Sequence, residues 1–137
     1  MVEAKAHIGE LNTTPCYAGP VALLRINRSL EDAARFFGSD SGSEWSKIHY
    51  QYANRLAHLY LLRQLNRIPA WLVFLYFLNA KEVGGPSSES EWRNAIANVH
   101  SKLGLDKKRL KPYIVNVFID TSEIRHLAEL QINYAQP

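Results

Sequence analysis

The chain has 137 residues, the size of one ordinary domain. Apolar residues make up 47% and charged residues 21% of it, which excludes a disordered or low-complexity protein. Sixteen Lys and Arg against 13 Asp and Glu give a net charge of +3, an excess that permits a nucleic-acid partner without requiring one. The single cysteine, Cys16, excludes an internal disulfide and favours a reducing, cytoplasmic compartment. The longest apolar run, Ala70 to Leu78, is far shorter than the ~20 residues of a membrane-spanning helix, so we expect no membrane partner.

The N-terminal segment alternates apolar and polar residues with a period of two. The apolar members are Val2, Ala4, Ala6 and Ile8, and the polar members are Glu3, Lys5 and His7. This pattern predicts a half-buried strand over Val2 to Ile8 with its charged side chains on one face. The stretch from Leu11 to Pro20 is rich in turn-forming residues and predicts a loop. Apolar residues at helical spacing from Leu23 to Phe37 then predict a first helix, which Gly38 ends.

A second helix is predicted from a capping pattern. Ser41 and Glu44 form a Ser-x-x-Glu capping box, and an apolar stripe runs behind it from Trp45 to Leu62. Asn66 is acceptable as a left-handed cap at the end of this helix, and Pro69 lies where the helix must already have stopped.

The remaining elements complete an alternation of strands and helices. The run from Ala70 to Leu78 is apolar without alternation and predicts a central strand covered on both faces. Ser88 opens a third helix that stops at Gly104, and Tyr113 to Ile119 forms another short strand, followed by a weakly helical tail over Glu123 to Leu130. We therefore predict one α/β domain over residues 1–137, with the three strands in one sheet and at least partly parallel pairing.

Glu3 and Lys5 are the first candidates for chemistry. On a strand their side chains emerge on the same face, roughly 7 Å apart. A carboxylate that holds a divalent cation, beside an ammonium that offsets phosphate charge, suits metal-assisted hydrolysis of a phosphodiester. The carbonyl oxygen of Ala4 offers one more oxygen ligand. The alternative interpretation is an ordinary pair of charges on an exposed strand.

A polar ridge on the second helix supplies further candidates. Gln51, Asn54, Arg55 and His58 follow the spacing i, i+3, i+4 and i+7, which places them on one side of the helix. An amide, an arginine and a histidine in this arrangement suit contacts to a phosphate or to a metal-bound water. A solvated helix face is the alternative interpretation.

Weaker candidates lie near these groups and further along the chain. His7 continues the face of Glu3 and Lys5, and Glu10 in the following loop is a carboxylate that could approach a metal. Each has a structural alternative, a strand histidine with a satisfied ring and an ordinary loop carboxylate. The basic stretch from Lys107 to Lys111 suits a nucleic-acid backbone, with a solvated turn as the default interpretation.

The motif Val2-Glu3-Ala4-Lys5, the helix with Gln51, Asn54 and Arg55, and the apolar strand after it together resemble the PD-(D/E)XK nuclease superfamily. The resemblance implies a restriction-endonuclease-like mixed sheet flanked by helices. It also implies Mg²⁺, or Mn²⁺ in its place, as the cofactor. The implied substrate is nucleic acid, with DNA as the primary candidate. By this resemblance Glu3 matches the metal-binding glutamate and Lys5 the catalytic lysine. Gln51 and Arg55 match supporting helix positions. Asn54, His7 and Glu10 are candidates from their positions alone, either for binding substrate or for supporting the residues that do.

The resemblance covers only the later part of the family core. The family's leading helix and first two strands, which carry a further metal-binding acid, precede the Glu-x-Lys strand, and the sequence printed here starts with that strand. Two interpretations stay open. One is a nuclease that Asp40, Glu10 or another chain completes, and the other is a non-catalytic module that binds nucleic acid or protein. A first strand with an unpaired edge also predicts a homo-oligomer.

Overall fold

The computed structural model describes residues 1–40 and 44–124. The proposed cap Ser41 and most of the predicted tail helix over Glu123 to Leu130 lie outside these ranges. The elements, in chain order, are β1 (Val2–Lys5), α1 (Pro20–Phe36), α2 (Tyr50–Tyr60), β2 (Leu72–Leu78), α3 (Glu89–Lys102), α4 (Lys107–Leu110) and β3 (Ile114–Asp120). Short 3₁₀ turns follow β1 and β2, and a π-helical turn over Leu61–Leu65 extends α2.

The three strands form one parallel sheet in the order β1-β2-β3. Glu3 lies beside Phe74, which lies beside Asn116, and Lys5 lies beside Tyr76 in the next row of the same face. The prediction that these segments share one sheet, with the apolar run at its centre, is confirmed. The resemblance implied a mixed sheet, whereas both pairings among the described residues are parallel.

One face of the sheet carries the core. The ring of Tyr52 on α2 stacks on Phe74 with centroids 4.8 Å apart, and Trp92 on α3 packs on Tyr76 at 4.7 Å. All four side chains are buried. Helix α1 packs on α2 and contributes Leu30, Ala33 and Ala34 to the same core. We call the side of the sheet beneath α2 and α3 the helical face.

The opposite side of the sheet, which we call the open face, is apolar and partly to largely exposed. Its side chains are Val2, Ala4, Val73, Leu75, Phe77, Val115, Val117 and Ile119. Val2 is 66% exposed and Val115 is 46% exposed. The prediction that β2 is covered on both faces is therefore wrong for the described residues, because α2 and α3 both lie on the helical face. In β1 the charged side is the buried one, so Lys5 is covered while Val2 faces outward.

The second helix begins later than the capping pattern predicts. It starts at Tyr50, because His49 adopts a left-handed backbone conformation with φ 48°. The Nδ1 atom of His49 lies 2.6 Å from the carbonyl oxygen of Leu11, and the indole N–H of Trp45 donates to the carbonyl of Leu103 at 3.1 Å. Trp45 thus belongs to a buried turn that joins three parts of the chain, and it is not on the helix.

The end of α2 also differs in detail from the prediction, whereas the limits of α3 agree with it. Asn66 is not left-handed, and the positive φ of 54° falls on Arg67 instead. Ser88 is the N-cap of α3, and its hydroxyl accepts from the backbone N–H of Glu91. Gly104 follows α3 with φ 64°, a conformation that glycine adopts at low cost.

Over the described ranges, no helix has the length and apolar character that crossing a membrane requires.

Candidate functional site

Glu3, Lys5 and Arg55 meet at the edge of the helical face, and we call these three residues the Glu3 cluster. The Nζ of Lys5 lies 3.3 Å from Oε1 of Glu3, and the Nε of Arg55 donates to Oε2 of Glu3 at 2.7 Å. Lys5 is only 3% exposed, whereas the side chain of Arg55 is 37% exposed. The structure thus joins the strand motif to the second helix through both oxygens of one carboxylate.

The electrostatics of the cluster favour the charged form of Glu3. Burial by itself opposes ionisation, but the hydrogen bond from Arg55 and the charge of Lys5 outweigh it and lower the pKa of Glu3. Two cations face one carboxylate, which leaves one positive charge in excess at this edge of the sheet. Arg55 is the member of the cluster that solvent reaches most readily.

Tyr76 is a polar residue of this region that sequence reasoning missed. It lies beside Lys5 in the register, it is buried, and its hydroxyl has no hydrogen-bond partner among the described residues. Burial raises the pKa of Tyr76, and the nearby Tyr52 and Glu3 raise it further, so the group stays a neutral phenol. A tyrosine inside an apolar run carries no distinct sequence signal. The period of two along β2 groups Tyr76 with Leu72 and Phe74, but the pairing with Lys5 depends on the register.

The predicted polar ridge of α2 does not act as a unit. Arg55 reaches Glu3, whereas Asn54 and His58 line a cavity of about 310 Å³ between α1 and α2. The Nδ1 of His58 is 2.7 Å from the carbonyl oxygen of Asn54. Gln51 is exposed, and its backbone N–H donates to Thr13. Of the four ridge residues, Arg55 is therefore the one that the structure brings to the Glu3 cluster.

His7 and Glu10 have structural partners in the turn after β1. The carboxylate of Glu10 accepts from the backbone N–H groups of Ala6 and His7, and the His7 ring accepts from Gly9. These contacts form a reciprocal capping box around a 3₁₀ turn. The side chain of Ala4 lies on the open side of the sheet, but the ligand proposed at this position is its backbone carbonyl, which the direction of the side chain does not test. The structure thus gives His7 and Glu10 a local role that accounts for their polar atoms.

The described residues alone do not fit a magnesium ion. Magnesium requires several oxygen ligands, usually from more than one carboxylate or from a carboxylate and a substrate phosphate. Within residues 1–40 and 44–124, no three His, Cys, Asp or Glu side chains are grouped so that they could hold a metal. Both oxygens of Glu3 already face cations, and Glu10 is held in its cap. A metal site here needs a second carboxylate beside Glu3.

Comparisons of the chain with protein-family models, with characterised proteins and with solved structures found no match.

Proposed function

We propose that the chain is a nuclease-like module that binds the phosphodiester backbone of nucleic acid at the Glu3 cluster, with DNA as the primary candidate ligand. The observation that carries the proposal is the meeting of Glu3, Lys5 and Arg55 from β1 and α2 at one edge of the sheet. Arg55 is the accessible cation and contacts a phosphate oxygen, and Lys5 behind it keeps Glu3 in place and adds positive charge. Tyr76 lies in the same row as Lys5, but its hydroxyl is buried, so it is not counted among the ligand contacts.

The cost of the cluster supports a functional role. Removing charges from water is expensive, and replacing a buried ion pair by apolar residues is often neutral or stabilising. Lys5 is buried on the helical face beside Phe74 and Tyr76, where an apolar side chain would pack without that cost. A lysine at this position is therefore better explained by a charged ligand than by stability.

We further propose that cleavage, with Mg²⁺ or Mn²⁺, requires a second carboxylate from outside the described residues. Glu3 is the only carboxylate in the described part of the cluster, and Lys5 and Arg55 neutralise it. Without that second acid we expect the module to bind nucleic acid and not to cleave it. The non-catalytic module and the nuclease thus differ in one testable component, the second carboxylate beside Glu3.

The binding step is tested with fluorescently labelled duplex DNA and RNA of equal length. Arg55→Ala weakens binding about tenfold, because charge-assisted contacts to phosphate are lost. Arg28→Ala is the matched control, since Arg28 is an exposed arginine on α1, and it changes binding by less than twofold. Equal losses in the two variants would show that binding depends on general surface charge and would refute the proposed site.

The cleavage step is tested by adding a segment that pairs with the free edge of β1 and carries an aspartate beside Glu3. This completed chain cleaves plasmid DNA or RNA with Mg²⁺ or Mn²⁺, and Lys5→Ala in the same chain abolishes cleavage while circular dichroism shows an intact fold. If Lys5→Ala cleaves as well as the completed parent, the nuclease assignment is wrong.

We also propose that a second copy of the chain covers the open face, which makes the protein a homo-oligomer. Support comes from the exposed apolar side chains there and from β1, whose outer edge has no strand beside it among the described residues. Val115→Lys shifts the protein toward monomer in analytical ultracentrifugation, whereas Val83→Lys, at an exposed valine outside the sheet, does not. A parent protein that stays monomeric at 100 μM would contradict this proposal.

A further inference from the structure

A second cavity lies at the opposite edge of the helical face, between α3, α4 and β3. Its volume is about 340 Å³, and its polar wall consists of Arg93, His100, Lys107, Lys111 and Asn116. We call it the basic cavity. This volume falls at the lower end of the range of small-molecule sites, ~300–1,000 Å³.

The charges around the basic cavity have one sign. No Asp or Glu is among its described lining residues. Arg93 bonds to Glu89 at 2.7 Å, but Lys107 and Lys111 make no salt bridge with any residue that the structure describes. Two lysines that form no ion pair among the described residues thus line the same cavity, which favours an anionic occupant.

His100 supplies a third donor, and its neighbour fixes which nitrogen carries the proton. Nε2 of His100 lies 2.7 Å from the hydroxyl of Tyr52, which is fully buried. Burial raises the pKa of Tyr52, whereas burial and the charge of Lys107 lower the pKa of His100 to about 4, so both groups are neutral at pH 7. The 2.7 Å contact allows either group to donate, but Tyr52 has no other acceptor among the described residues, so we assign its O–H as the donor to Nε2.

The proton of the neutral imidazole therefore sits on Nδ1. In His58 the corresponding Nδ1 bonds to the carbonyl one helical turn earlier. The Nδ1 of His100 has no hydrogen-bond partner among the described residues. The His100 ring is thus an oriented N–H donor on the wall of the cavity, held in place by a buried phenol.

We propose that the basic cavity binds the phosphate group of a nucleotide through Lys107, Lys111 and the Nδ1–H of His100. The ammonium groups of Lys107 and Lys111 balance the charge of a phosphate, and the imidazole adds a directional hydrogen bond. The apolar part of the wall, which includes Ile96 and Ile114, gives the sugar or base a surface to contact. The nucleotide is either free or a unit of a nucleic-acid strand, since both offer this chemistry.

This proposal does not rest on the function assigned to the Glu3 cluster. Glu3 and Asn116 are separated by the full width of the sheet, about 10 Å over two strand spacings. Tyr52 and Phe74 are stacked in the row between them. Substitutions in the basic cavity therefore leave Glu3, Lys5 and Arg55 untouched.

The test measures binding of adenosine monophosphate, inorganic phosphate and a short single-stranded oligonucleotide by isothermal titration calorimetry. Lys107→Ala and Lys111→Ala each weaken adenosine monophosphate binding about tenfold. Lys108→Ala is the matched control, because Lys108 lies on the same short helix but does not line the cavity, and it changes the affinity by less than twofold. These lysines are exposed, so the variants retain the parent's urea midpoint.

The outcomes separate the sources of the phosphate. Saturable binding of adenosine monophosphate that depends on Lys107 and Lys111 supports a free nucleotide, and the same dependence seen with the oligonucleotide alone supports a strand. We also expect nitrogen-15 NMR at pH 7 to show the Nδ1–H form of His100, and we expect that signal to shift when the nucleotide binds. Absence of saturable binding at millimolar concentrations, equal weakening by Lys108→Ala, or an Nε2–H form of His100 would each overturn the proposal.

Discussion

Replacing Glu3 with glutamine removes the negative charge that both Lys5 and Arg55 face. Lys5 is 3% exposed, so its ammonium would remain buried without a counter-ion. Removing one partner of a buried ion pair typically costs about 3–5 kcal/mol. The side chain of Glu3 is itself 16% exposed, and Arg55 can turn to solvent, so we expect the lower end, about 3 kcal/mol.

The measurement is urea unfolding followed by circular dichroism at pH 7, with the slope checked for two-state behaviour. Glu89→Gln is the control, because Glu89 pairs with Arg93 on the exposed surface of α3 and its loss costs less than about 0.5 kcal/mol. Glu3→Gln combined with Lys5→Met recovers most of the stability, since no buried charge is then left unpaired. A cost for Glu3→Gln as small as that for Glu89→Gln would refute the view that the cluster is a buried, coupled unit.

The pH dependence of the cluster follows from the same contacts. Arg55 and Lys5 lower the pKa of Glu3 in the folded protein, so Glu3 contributes stability above its unfolded pKa, and that contribution is lost as the pH falls through the folded value. The difference in unfolding free energy between the parent and Glu3→Gln should therefore be full at pH 7 and become smaller as the pH is lowered below the unfolded pKa of Glu3. A difference that stays constant over this range would contradict the coupling.

Two further predictions concern other parts of the fold. Because the pKa of His100 is lowered to about 4, the unfolded chain binds its proton first, so stability is full above pH 6.5 and falls between pH 6.5 and 4. In urea unfolding, His100→Gln flattens this pH profile. The control His58→Gln, at an exposed histidine, leaves the profile unchanged. Identical profiles for the parent and His100→Gln would contradict the prediction. Gly85→Ala destabilises the protein by about 1–3 kcal/mol, because its new Cβ would overlap the carbonyl oxygen of Ala6. Gly19→Ala, where a Cβ meets nothing within 4 Å, is the control in the same thermal melts, and equal melting temperatures would contradict this packing argument.

Elements with strong local signals could be predicted from sequence. The cap at Ser88 and the apolar run of β2 both depend on neighbouring residues, and the structure places them as expected. The start of α2 could not be predicted, because it depends on the left-handed conformation of His49 and on its contact with Leu11, which is 38 positions away. Local pattern carries no information about such a contact.

The buried side of β1 shows a second limit. Alternation correctly groups Glu3 with Lys5, but it does not say which side of the strand the helices cover. That choice is made by the packing of α2, which brings Arg55 to Glu3 across 52 positions of sequence. The candidate pair Glu3 and Lys5 was thus accessible from sequence. The unpartnered hydroxyl of Tyr76 and the bond between Tyr52 and His100 depend on register and helix placement.

The parallel sheet also has a consequence for how the protein folds. Its pairings are all non-local: Met1 bonds to Trp71 across 70 positions, and Thr121 bonds to Leu78 across 43. Contacts of such high sequence separation slow folding, because the chain loses the entropy of closing a long loop before the strand pairing stabilises it. Among the described strands β1 pairs with β2, so during synthesis this pairing forms only after β2 has been made. The Glu3 cluster joins β1 to α2, so formation of its ion pairs is a local signal that β1 has docked in the folded protein.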